Sequence, residues 1–104
     1  MIFKNVDKEL EKIGFEKLLE GDKETKHGVY YRREVKKGED NPRYIQRVDI
    51  YYKVSGRHLI ISYEEGVNKD KLNNCVGLTY KELKLFIRKY KQMVRKYKWI
   101  KKET

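Results

Sequence analysis

The sequence predicts an α+β domain in the order helix, three-stranded antiparallel β-meander, long C-terminal helix (αβββα), with both helices on one sheet face. Two patterns predict it: apolar residues recur at steps of three and four near both ends of the chain, and between residues 29 and 63 the period falls to two. A chain of 104 residues holds one such domain, 1–104. The charged fraction of 40 % is high for a folded protein, but nine Tyr, three Phe, one Trp and the regular patterning place it with globular domains.

At the N-terminus, Phe3, Val6, Leu10, Ile13 and Leu18 lie near helical spacing, and Asn5 or Asp7 offers a cap. A helix is expected from about Asn5 to Ile13, stopped by Gly14 in the C′ position. Phe15, Lys17 and Leu19 then form a short strand or a frayed turn, and the polar stretch Gly21 to Gly28 reads as a loop. From Val29 the alternation of Val29, Tyr31, Arg33 and Val35 with Tyr30, Arg32, Glu34 and Lys36 marks a first strand. Lys37 to Arg43, with the sole proline, is a turn. In the second strand Val48, Ile50, Tyr52 and Val54 face the core, while Arg47, Asp49, Tyr51 and Lys53 face solvent. Ser55-Gly56 signals a tight hairpin into a third strand, His58 to Tyr63, whose alternation puts Leu59, Ile61 and Tyr63 toward the core. The Asn-rich connection Val67 to Leu78 is long for a compact domain.

The last stretch, Thr79 to Thr104, reads as one long helix. Thr79 and Glu82 have the spacing of a capping box, and no Gly or Pro interrupts the run after them. Leu83, Phe86, Ile87, Tyr90, Val94 and Tyr97 line one side. Lys81, Lys84, Arg88, Lys91, Arg95, Lys98 and Lys102 form a second stripe roughly 130° around and about 30 Å long. Lys89, Lys96 and Lys101 lie off it. Residues 79 to 104 carry ten Lys or Arg against Glu82 and Glu103, so +8 of the net charge of +10 is C-terminal. Like charges at helical spacing repel by a few tenths of a kcal/mol per pair, so such a row suits a polyanion, most simply a nucleic-acid backbone.

Catalysis finds little in the sequence. His27 and His58 are not at metal-ligand spacing, there is no cysteine pair, and no Gly-rich phosphate loop of the Walker type occurs. Asp49, Glu64 and Glu65 are the carboxylates a divalent ion would need, yet Asp49 reads as the cross-strand partner of a basic residue and Glu64-Glu65 as a turn. A non-enzyme without metal or other cofactor is expected. Cys75 is the only cysteine, which fits a reducing cytoplasm, and neither a signal peptide nor an apolar run long enough to cross a membrane is present.

The segment Tyr44-Ile-Gln-Arg-Val-Asp-Ile-Tyr-Tyr-Lys-Val-Ser-Gly-Arg-His-Leu-Ile-Ile-Ser-Tyr-Glu-Glu-Gly-Val-Asn-Lys-Asp70, continued by Asn73-Asn-Cys-Val-Gly-Leu-Thr-Tyr-Lys-Glu-Leu-Lys84, resembles small phage- and prophage-encoded proteins of Gram-positive bacteria. The resemblance implies an accessory role in the cytoplasm of a bacterial host and carries no catalytic residue with it. The element order is also topologically similar to the double-stranded-RNA-binding domain, without that family's loop and helix motifs.

Two functions are expected on these grounds. In the first, the chain binds DNA or RNA through Lys81, Lys84, Arg88, Lys91, Arg95 and Lys98, with Arg47, Tyr51 and Lys53 as further contacts on an uncovered sheet face. In the second, drawn from the phage resemblance, it is an anti-defence protein that binds an acidic host immune protein, as anti-CRISPR inhibitors do, or sequesters an anionic nucleotide, with Asn68, Asn73 and Asn74 as ligand contacts. A homodimer through Tyr51 and Ile45 fits the same open face.

Overall fold

The computed structural model describes residues 5–23, 26–36, 43–53, 55–65 and 75–99. The first helix, α1 (Val6–Lys12), starts where Asn5 accepts a hydrogen bond from the Lys8 N–H at 3.3 Å. It ends in a Schellman turn: Gly14 takes φ +97°, its N–H bonds the Glu11 carbonyl at 3.0 Å and the Phe15 N–H bonds that of Leu10 at 3.0 Å. The motif needs a residue at positive φ, and glycine takes that conformation without strain.

Four strands come next, not three: β1 (Glu16–Lys23), β2 (Lys26–Lys36), β3 (Arg43–Tyr52) and β4 (His58–Glu64), side by side in chain order and antiparallel throughout. Most of the stretch expected as a loop is therefore the paired ends of β1 and β2, with Gly21 opposite Gly28. Backbone pairing needs no apolar alternation, and a charged sequence is usual for an edge strand. Close to that pair a side chain at Gly28 would meet the Ile50 carbonyl oxygen at 2.5 Å, so the β2–β3 approach there requires glycine.

The register of β1 slips between Lys17 and Leu19, leaving Leu18 as the extra residue of a β-bulge. Without it Lys17 and Glu20, three apart, would point to opposite faces. With it Lys17 lies opposite Tyr31 and Glu20 opposite Val29, both on the side that carries the helices. The bulge thus places a cation and an anion beneath α2.

Both helices pack on this one face. Val29 and Tyr31 of β2 and Val48 and Ile50 of β3 are buried there with Val6 and Leu10 of α1 and with Phe15. They meet Phe86 and Met93 of α2 (Tyr80–Tyr97). The Phe86 ring stands edge-on to Phe15 at 5.0 Å and to Tyr31 at 5.6 Å. In β4 the expected core face is reversed. Ile60 pairs with Ile50 and packs against the core, whereas Leu59, Ile61 and Tyr63 pair with Tyr51, Asp49 and Arg47 and so lie on the open face. Alternation fixes which residues share a face, but in a strand apolar on both sides only the register says which face is inward.

The start of α2 agrees with the sequence. Thr79 accepts from the Glu82 N–H at 3.1 Å, and its own N–H donates to the Glu82 carboxylate at 2.8 Å. Its end does not: the helix stops at Tyr97 rather than continuing to Thr104, and Lys98 turns left-handed at φ 54°. A non-glycine residue there costs of order 1 kcal/mol or more. What offsets it is Trp99, only 6 % exposed, which folds back to stack on Tyr52 at 5.9 Å and meets His58 at 5.7 Å. Lys102 lies outside the described residues. No helix among the described residues is long and apolar enough to cross a membrane.

Candidate nucleic-acid interface

The inward side of α2 is turned from the expected one by about 75° of helix rotation. Phe86, Lys89 and Met93 are its buried residues, while Leu83 is 38 % exposed. The shift brings Lys89 inside. Its ammonium lies 2.7 Å from Glu20 and 3.2 Å from Asp7. Asp7 also receives Lys17 at 3.0 Å and the Tyr31 hydroxyl at 2.5 Å, and Glu20 receives Lys96 and the Tyr97 hydroxyl, each at 2.9 Å. Burial alone would raise both carboxyls. The Tyr31 hydroxyl and the cations outweigh it at Asp7, whose pKa is lowered, and Lys89, Lys96 and Tyr97 hold Glu20 at about 2.

Arg33 ties down the start of the helix in the same manner. From the helix side of β2 it pairs with Glu82 at 2.6 Å, donates to Gln46 at 3.0 Å and lies 4.2 Å over the Phe15 ring. Gln46, fully buried, passes its own amide to Ser62 at 2.8 Å. The carboxylates of this region are therefore directed inward, against α2 and the sheet.

The opposite side of α2 is the basic stripe. Lys81, Lys84, Arg88, Lys91, Arg95 and Lys98 are all exposed and run along the helix for about 25 Å at the usual rise per residue. Arg88 reaches Glu9 of α1 at 3.4 Å, and Lys84 sits 5.3 Å from the Tyr80 ring. Lys81, Lys91, Arg95 and Lys98 make no ion pair with any described carboxylate. Beside the N-terminal end of the row an open cleft of about 550 Å³ separates α1 from α2. Ile13 and Leu85 give it apolar walls, and Lys12, Lys81, Lys84 and Arg88 line it together with the carboxylates Glu9 and Glu82.

The other expected contacts do not join this row. Arg47 and Tyr51 lie on the face of the sheet that α2 does not cover, with the sheet between them and the stripe, and Lys53 follows the end of β3. Lys53 is exposed there, while Arg47 is engaged, 3.5 Å from Asp49, 3.8 Å from Glu65 and over the Tyr30 ring. Burial raises the Asp49 carboxyl above its ordinary value although Tyr63 donates to it at 2.7 Å, and the Tyr63 hydroxyl is itself pushed up to about 12 by burial and by that bond. Asn68, Asn73 and Asn74 lie outside the described residues, and Cys75 is exposed beside Tyr63. Among the described residues no three His, Cys, Asp or Glu side chains come together as metal ligands would.

Lys89, Asp7 and Glu20 do not stand out in the sequence as members of one network, nor does Arg33 as the partner of Glu82. Lys89 does carry a signal there, because it stands three residues after Phe86 and four before Met93, inside an apolar stripe. Its carboxylate partners are distant in sequence, and none is recognisable without the fold. Compared with known proteins, the chain matches no family model, no curated protein and no solved structure.

Proposed function

We propose that this chain is a small, non-catalytic binding protein for nucleic acid, held along the outer side of α2 by Lys81, Lys84, Arg88, Lys91, Arg95 and Lys98. The observation that carries the reading is the separation of charge across one helix: carboxylates gather against its inner side, while on the outer side only Arg88 meets one among the described residues. Cations spaced three and four apart repel one another. A row kept in that state is pre-arranged for a polyanion, which relieves the repulsion and releases its own counterions on binding.

Contacts of this kind are to phosphates and carry no sequence information. Binding is accordingly insensitive to sequence and falls steeply with salt. Fluorescence anisotropy with labelled DNA and RNA over a salt series tests this. The Lys91→Gln, Arg95→Gln double variant is expected to bind more weakly and to flatten the slope of log K against log salt by about 1.5, from roughly 0.7–0.9 per phosphate contact. No binding to any of these nucleic acids at low salt overturns the reading.

A further inference from the structure

Resting on that reading, we infer that the nucleic acid held by α2 is single-stranded, with one unpaired base stacked on Tyr80, its phosphates on Lys81 and Lys84, and the next nucleotide entering the cleft between α1 and α2. Two independent observations at the N-terminal end of the stripe point there. The first is Tyr80, which opens α2 with its side chain in solvent: it is 76 % exposed, whereas Ile13, Leu18, Leu19 and Leu83, the other exposed large hydrophobics among the described residues, are between 38 % and 43 % exposed. The ring takes no part in the core, and Lys84 stands 5.3 Å from its centroid.

The second is the cleft itself. Its apolar walls, Ile13 and Leu85, lie within reach of Lys12, Lys81, Lys84 and Arg88; the two carboxylates that also line it are already paired, Glu9 with Arg88 and Glu82 with Arg33, so apolar surface and a net positive charge converge in about 550 Å³. Duplex nucleic acid presents phosphates outward and keeps its bases stacked, which leaves both an exposed ring and an apolar cleft without a use. An unpaired nucleotide supplies what each requires, a π-face for Tyr80 and a flat, largely apolar base beside a charged phosphate for the cleft. Aromatic side chains interleaved with cations are how sequence-tolerant proteins grip single strands.

The test compares a labelled single strand with its duplex, of equal length and at equal salt, by fluorescence anisotropy on the full chain. The wild type is expected to bind the single strand about tenfold more tightly, the factor that one stacked base contributes. Tyr80→Ala is expected to abolish that preference and leave duplex binding within about twofold, while Tyr80→Phe retains it. Ile13→Glu, on an exposed position beside the cleft, is expected to weaken single-strand binding further than duplex binding. Equal or tighter duplex binding by the wild type, or a preference that survives Tyr80→Ala, overturns this inference and leaves the polyanion reading standing. Full competition by a free mononucleotide at comparable concentration also counts against it, since the site would then recognise the monomer. Failure to bind either form removes both.

Discussion

Lys89 and Lys91 are two residues apart on α2 and are used in opposite ways. Lys89 is buried among Asp7, Glu20 and the hydroxyl-bearing rings around them, where it joins the helix to α1 and to the edge strand. Lys91 is exposed, in a row that meets one carboxylate among the described residues, through Arg88. Identical side chains thus act as internal structure on one side and as ligand surface on the other. What separates them is about 200° of helix rotation and the anions that the sheet presents to one side only.

Removing the inner cation should cost the fold most. Lys89→Met leaves two partly buried carboxylates with less compensation and is expected to lower the unfolding free energy by about 3 kcal/mol in urea titrations, the usual consequence of taking one partner from a buried pair. Affinity of the remaining folded protein for nucleic acid should be unchanged. A variant as stable as the parent would show that the inner network does not hold α2.

Acid acts on the same side. The Asp7 pKa is lowered and that of Glu20 is held at about 2, against an ordinary 4.5 for Glu20. A carboxyl depressed in the folded state takes up its proton in the unfolded chain first. Its stabilisation is therefore complete above about pH 4.5 and is lost as the pH falls toward about 2. Urea titrations between pH 6 and 2 should trace this decline, and Lys89→Met should make it shallower by returning Glu20 toward its ordinary value.

The smallest effect on stability is expected on the outer side. Lys91→Gln should alter the unfolding free energy by less than about 0.5 kcal/mol, with a slight gain from relieved repulsion against Arg88 and Arg95. The same change should weaken nucleic-acid binding and reduce the salt slope by about 0.7–0.9. Lys89→Met and Lys91→Gln together form a pair in which one variant moves stability alone and the other binding alone.

Signals in the chain are legible where their physics is local. Asn5, Gly14, Thr79 and Glu82 mark helix ends because capping involves groups within one turn, and the hairpin at Gly56, with φ +88° and its N–H bonded to the Lys53 carbonyl at 2.8 Å, is a local event as well. The edge strand β1 is legible only as a short strand or a turn, since its pairing with β2 satisfies backbone groups whatever its side chains. The stop at Tyr97 is hidden for a different reason. Lys98 carries no breaking signal, and the turn is held by the Trp99 ring against Tyr52 and His58, far away in sequence.

An α+β chain, the two helix starts, the faces of β2 and β3 and a row of cations at helical spacing are all readable from the residues alone, because each comes from spacing along the backbone. It is the folded chain that shows Lys89 leaving the charged population for the core, Leu59, Ile61 and Tyr63 facing outward, and Arg47 held by Asp49 and Glu65. The first depends on a bulge at Leu18 and on carboxylates brought from α1 and β1, the second on the register of β4 against β3. Whether a lysine is buried or free is set by the anion opposite it, and that anion is a neighbour only after the chain has folded.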